Sequence, residues 1–308
     1  MANFLLSAFA DEAGGGILDQ IDALKANKLT HIEPRGLDEG NISEYTPGQA
    51  KELKKILDEN EIGVSAIGSR FGKIGIDDDD FEEHFEEFKS CVEVANILGT
   101  KRIRMFSFFF SEDVSKQEYR DEVFERIDRM CDYSLRSGVW CCHENEKHIY
   151  GENDTECLDL LSTFKGKLLG VFDPANFIQC GTDVLSAYDL LEEYINYLHI
   201  KDCLYEGGKV RPAGKGDGKI VELLKRFNNK DGERFLTLEP HLKVFKGLDK
   251  LEAEGGQAEK LKNDYTYSSN REAFDAAANA LWQCLAQADC ICLYIFGRNG
   301  GLCLLIPY

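Results

Sequence analysis

Short β-rich runs alternate with longer amphipathic stretches along nearly the whole chain, and this alternation restricts the fold more than any other feature of the sequence. Eight runs read as strands, at residues 3–10, 30–35, 63–69, 101–107, 139–144, 168–173, 195–201 and 234–239. Between them lie stretches with helical periodicity, such as those following Gly16 and Thr46 and the one beginning near Asp80. Gly99, Gly138 and Gly232 fall where helix C-caps are wanted. Parallel βα units of this number close most economically as a barrel, with a doubly wound sheet as the other arrangement of similar length. The expected architecture is therefore α/β, a single (β/α)8 barrel over residues 1–287, with no linker or compositional break inside it. Residues 288–308 are set apart as an apolar tail, either aberrant or packed on the barrel exterior or a neighbouring subunit.

Composition narrows the partners. The 43% hydrophobic content of the 308 residues is that of a globular protein, but the formal charge of −19 repels phosphate backbones and anionic lipid surfaces. Neither nucleic acid nor a membrane is expected as a partner, whereas a small polar substrate and self-association stay open. The 11 cysteines form no CxxC pair and read as reduced, mostly buried thiols. Together with an N-terminus that lacks a basic leader, they point to the cytoplasm.

In a barrel, chemistry sits at the C-terminal ends of the strands, and here those ends are polar. The fifth carries His143 and Glu144, the sixth Asp173, the seventh His199 and Lys201, and the eighth Glu239 with His241 close behind. Strand alternation sets Trp140, Cys142 and Glu144 on one face, and does the same for Tyr197 with His199 and for Thr237 with Glu239. Proline follows Glu33, Asp173 and Glu239, which biases each carboxylate-bearing residue toward extended backbone. Three converging carboxylates are self-repelling unless a cation compensates them, and an imidazole completes a mixed oxygen and nitrogen ligand set. Such a set suits one Mn2+, Mg2+, Co2+ or Zn2+ ion, with no thiolate available for a closed structural zinc site.

Glu144, Asp173, His199 within His-Ile-Lys-Asp, and Glu239 within Leu-Glu-Pro carry a resemblance to the xylose isomerase-like barrel superfamily over about residues 3–287. That superfamily includes sugar isomerases and epimerases, inosose dehydratases and, more distantly, endonuclease IV. The resemblance implies that these four residues bind Mn2+ or a similar ion and that Glu144 and Glu239 double as the acid/base pair. The additional histidines that give endonuclease IV three zincs have no counterpart here, and Asn176 stands where a histidine of that pattern would be.

A single open metal beside two carboxylates suits proton transfer next to a carbonyl, through a metal-stabilised enediolate. The expected activity is that of a sugar or sugar-phosphate isomerase or epimerase. A metal-assisted lyase or hydrolase is the alternative, and a silent binding barrel a third reading. Candidate substrate contacts are Glu33, Arg35, Arg104, Asn176, Lys201 and Lys215, while His143 and His241 adjoin the ligands as supports. His31, Glu33 and Arg35 share one strand face, which marks either a site or an internal ion pair. The glycine-rich loop at residues 212–218 precedes a helix and has backbone amides suited to an anion. His84 and His148 read as surface or loop residues, and the acidic run at 77–80 as a solvated helix N-terminus.

Overall fold

A computed structural model of the chain describes residues 1–38, 40–77, 80–110, 115–245, 265–290, 292–296 and 301–305. Its centre is a curled parallel sheet that runs, in spatial order, through Ala2–Ala8, Gly232–Leu238, Ile195–Ile200, Leu168–Phe172, Trp140–Glu144, Arg102–Met105 and Ile67–Gly68. The gap that remains between the last and first of these is filled by His31–Ile32 and Gly63–Val64, which pair with each other. Single backbone bonds complete the circle: Thr30 N–H donates to Leu6 O and Glu33 N–H to Ala8 O on one side, and Gly68 N–H to Pro34 O on the other. The molecule is thus the (β/α)8 barrel that the alternation implies.

The second and third strands are shorter than the sequence pattern suggests. Pro34 removes a donor and ends regular pairing after Ile32, and backbones crowd at Gly68, where a Cβ would lie 2.6 Å from the Phe9 ring and 2.9 Å from Pro34 O. Gly232 is not a helix cap; it opens the eighth strand at φ +82°, after the helix Ile220–Phe227 has already ended.

Helix boundaries follow local chemistry. Pro47–Glu59 starts on a capping box in which the Thr46 side chain accepts from Gln49 N–H while Gln49 reaches back to Thr46 N–H, with Pro47 at the first helical position. Phe81–Leu98 stops at Gly99, which takes φ +80°. Of the acidic run before that helix, Asp78 and Asp79 lie outside the described residues. His84, on its first turns, is buried instead of exposed: its ring meets Phe71 edge-on, and its Nε2 accepts a hydrogen bond from Gly72 N–H.

Two apolar regions hold the barrel. The larger lies between the strands and the surrounding helices, from Phe4 and Ile103 out to Phe88, Ile127 and Leu281. The smaller, Leu5, Ala66, Cys142, Val171, Tyr197 and Phe235, fills the barrel lumen and forms the floor on which the polar strand ends stand. Beyond the helix Asn270–Gln287, strands Cys292–Phe296 and Gly301–Leu305 pair antiparallel and join the sheet beside Phe4. The described cysteines are free thiols, and among the described residues no helix is long and apolar enough to cross a membrane.

Candidate metal centre

Four adjacent strands deliver four buried side chains able to ligate a metal. Glu144 is the last residue of its strand, His199 the next to last, and Asp173 and Glu239 each follow directly on theirs. One ligand atom from each lies within 4.8 Å of the other three. Asp173 is fixed by a second duty: it is the N-cap of Pro174–Gln179, and its Oδ1 accepts from Asn176 N–H at 2.9 Å. Its Oδ2, fully buried, has no hydrogen-bond partner, and neither has Glu239 Oε2.

His199 sits between two sets of acids. Its Nδ1 faces Glu144 Oε1 at 2.9 Å and Glu239 Oε2 at 3.3 Å, while its Nε2 faces Glu33 Oε2 at 3.5 Å. Glu33 is held in turn by the hydroxyls of Tyr197 (3.0 Å) and Thr237 (2.8 Å). A proton on Nε2 directed at Glu33 leaves the Nδ1 lone pair aimed at the point where three carboxylates converge, the second-sphere pattern of a metal-bound imidazole.

The charge balance asks for a cation. Asp11, Glu12, Glu33, Glu144, Asp173 and Glu239 are buried together, and among the described residues the buried lysine and arginine side chains paired with them are Arg35, Arg104 and Lys201. Burial, reinforced by Glu239 and Glu144, pushes the Asp173 carboxyl up to about 7. The His199 imidazole is raised well above its ordinary range against the opposing effect of burial, with Glu144 and Glu33 as the main cause. Both shifts mark a place short of positive charge. The donor set, the orphaned oxygens and the charge deficit all fit one divalent ion held by Glu144, Asp173, His199 and Glu239.

Residues 21–262 match the sequence profile of the xylose isomerase-like TIM barrel family. The chain belongs to that family. No curated protein matches it closely in sequence. Among solved structures, this xylose isomerase-like barrel is similar to D-psicose 3-epimerase with D-tagatose from Clostridium cellulolyticum H10, at 14% identity and TM-score 0.69 over 94% of this chain and 100% of that one. It is similar to the IOLI protein with a zinc atom, at 16% identity and TM-score 0.69 over 93% and 99% of the two chains. It also resembles a fusion of a xylose isomerase-like barrel with 4-hydroxyphenylpyruvate dioxygenase, at 14% identity and TM-score 0.68; the match covers 94% of this chain and 44% of that longer one.

Around the four-residue cluster each carboxylate has a basic partner: Arg104 Nε lies 3.3 Å from Glu144 Oε2, Lys201 Nζ 3.4 Å from Asp173 Oδ2, and Arg35 Nη1 2.8 Å from Glu239 Oε1. Arg35 is clamped from behind by both oxygens of Asp11 at 3.0 Å and by Glu12 at 3.3 Å. Asn176 donates to Asn145 O at 2.9 Å and presents its Oδ1 to Lys201 at 2.8 Å. Of the two histidines adjoining the ligands, His241 reaches the cluster, with Nε2 3.2 Å from Glu239 Oε1. His143 does not; strand alternation turns it to the opposite face from Glu144, where it bonds Ser107.

The glycine-rich loop has a different role from anion binding. Gly214, Gly216 and Gly218 N–H all donate to the buried Asp202 carboxylate, at 2.8, 3.0 and 2.8 Å, so its amides are already engaged. Lys215, within that loop, is exposed and does not line the space above the cluster. That space is only 20 Å³ and is lined by Arg35, Lys73, Arg104, Lys201, Asn176 and His241 among others; Glu33 lies beneath it. A larger cavity of 750 Å³ lies at the opposite end of the barrel, among Arg102, Trp140 and Phe235, away from the carboxylates. Asp11 and Glu12 have no role assigned from sequence, although two acids directly after the first strand are the same signal that marks Glu144 and Glu239. Lys73 and Glu146, paired at 3.1 Å across the mouth, lie just beyond the third and fifth strands and have no role assigned from sequence.

Proposed function

We propose that this chain is a divalent-metal-dependent isomerase or epimerase of a sugar or sugar phosphate, with Mn2+ as the favoured ion and Mg2+, Co2+ or Zn2+ as alternatives. The observation that carries the reading is the approach of Glu144 and Glu239 to one nitrogen, His199 Nδ1, at 2.9 and 3.3 Å. Two carboxylates thereby flank a single position, as removal and return of one proton require. The presence of epimerases among the similar folds agrees with this chemistry.

Held by Glu144, Asp173, His199 and Glu239, the ion would supply Lewis-acid polarisation of a substrate carbonyl. The chain's own residues do the rest. One of the two glutamates takes the proton from the carbon beside the carbonyl, and the other returns it, to the opposite face for epimerisation or to the neighbouring carbon for isomerisation. With the ion bound, a proton kept on Nε2 facing Glu33 would leave Nδ1 free to ligate. Arg35 and Arg104 hold the outer oxygens of Glu239 and Glu144, which fixes the direction from which each carboxylate works.

The test is incubation of the metal-loaded protein with ketoses and aldoses in deuterated buffer. Deuterium should enter a carbon-bound position of the substrate, and Glu144→Gln and Glu239→Gln should each lose this by about 100-fold or more. Full turnover in both variants, or a product of net elimination or hydrolysis, would refute the assignment.

A further inference from the structure

The three basic partners of the carboxylates are not equivalent. Arg35 uses Oε1 of Glu239 and Arg104 uses Oε2 of Glu144, so each leaves the other oxygen of its carboxylate facing His199. Asp173 has no such spare atom. Its Oδ1 is committed to the helix cap through Asn176 N–H, and Lys201 Nζ stands 3.4 Å from Oδ2, the one oxygen left for an ion. The same ammonium is 4.0 Å from Glu239 Oε2, a second oxygen of the cluster without a hydrogen bond. Lys201 is buried and anchored on Asn176 Oδ1 at 2.8 Å. The orientation of that amide is set independently by its bond to Asn145 O.

We propose that Lys201 is a resident counter-cation, competing with the metal for Asp173 Oδ2, weakening metal affinity and keeping the carboxylates assembled when no metal is bound. The inference rests on the reading that these four side chains hold a divalent ion. A monovalent ammonium and a divalent ion cannot both take full advantage of one oxygen, because their mutual repulsion at this range in a poorly hydrated site is large. When the ion binds, Asp173 Oδ2 passes to it and the ammonium stays on Asn176, where its remaining N–H groups are directed to the space that a substrate oxygen would enter. Lys201 is in this sense a positioning residue of the centre that sets how readily the ion is gained and lost.

The experiment is titration of the metal-free protein with Mn2+ alone, followed by calorimetry or by the electron paramagnetic resonance of free Mn2+. Lys201→Met, and Lys201→Gln, which retains a donor for Asn176, are expected to bind Mn2+ about tenfold or more tightly than the wild type. Arg104→Met, which removes the same charge from a carboxylate that has an oxygen to spare, should gain less. A merely structural lysine that props Asp173 in place gives the opposite sign, weaker binding on removal. Unchanged or weaker binding in the two Lys201 variants, or an equal gain in Arg104→Met, would overturn the proposal. Absence of saturable Mn2+ binding in the wild type and all variants would instead remove the metal reading on which it rests.

Discussion

Glu33 lies directly behind His199, its Oε2 3.5 Å from Nε2, on the side of the ring away from the three converging carboxylates. Sequence places Glu33 among the candidate substrate contacts; the structure puts it under the site, fully buried behind the His199 ring and held by Tyr197 and Thr237.

Glu33→Leu should therefore lower Mn2+ affinity by about 10- to 100-fold, the usual effect of losing the acid behind a ligating histidine, and Glu33→Gln by less. Titration of metal-free protein with Mn2+ checks this, and an unchanged affinity in Glu33→Leu would show that His199 needs no such support.

Arg35 compensates Asp11, Glu12 and Glu239, all of them buried. Arg35→Met leaves those acids without their partner and is expected to cost about 3–5 kcal/mol of stability. Arg35→Lys should recover little of it, since a single ammonium cannot reproduce the paired bonds to both oxygens of Asp11. Urea denaturation of the three proteins gives the comparison.

His84 is held neutral by burial, which lowers its imidazole to about 4, and His143 is lowered to about 3 by the same cause. Below about pH 6.5 the unfolded chain takes up protons on these rings that the folded chain does not. Their contribution to stability is therefore complete above that pH and is lost as pH falls toward 4. Asp173, held up at about 7, acts in the opposite sense in both proteins, so the urea midpoint of His84→Gln should gain on that of the wild type as pH falls from 7 to 4, and the ring resonances of His84 should not titrate near pH 6.5.

Asp202 ties the loop at residues 212–218 to the barrel through three backbone donors. Asp202→Ala leaves those donors without their acceptor and should cost about 2–3 kcal/mol while speeding amide exchange at Gly214, Gly216 and Gly218. Gly216→Ala should resemble it, because the added methyl would lie 2.3 Å from Asp202 Oδ1. Thermal midpoints and hydrogen exchange of the variants test both.

Much of this was open to reading along the chain. The barrel follows from periodicity, and Glu144, Asp173, His199 and Glu239 stand out because a strand end presents its side chains at a fixed place whatever the loops do. Three things were not legible. Residues of identical type at strand ends, Glu33 and Glu239, differ in depth by the tilt and register of the sheet, which the sequence does not state. His84 depends on which side of its helix faces the core. The glycine-rich loop shows its donors in sequence but not their acceptor, because Asp202 meets it only after the chain has turned back on itself.

That last arrangement bears on the choice of substrate. A phosphorylated sugar seeking the amides of the 212–218 loop would have to evict a tethered carboxylate, whose effective concentration at those donors far exceeds that of any metabolite. A cradle of amides that a free anion could use is thus filled in advance by the protein's own carboxylate.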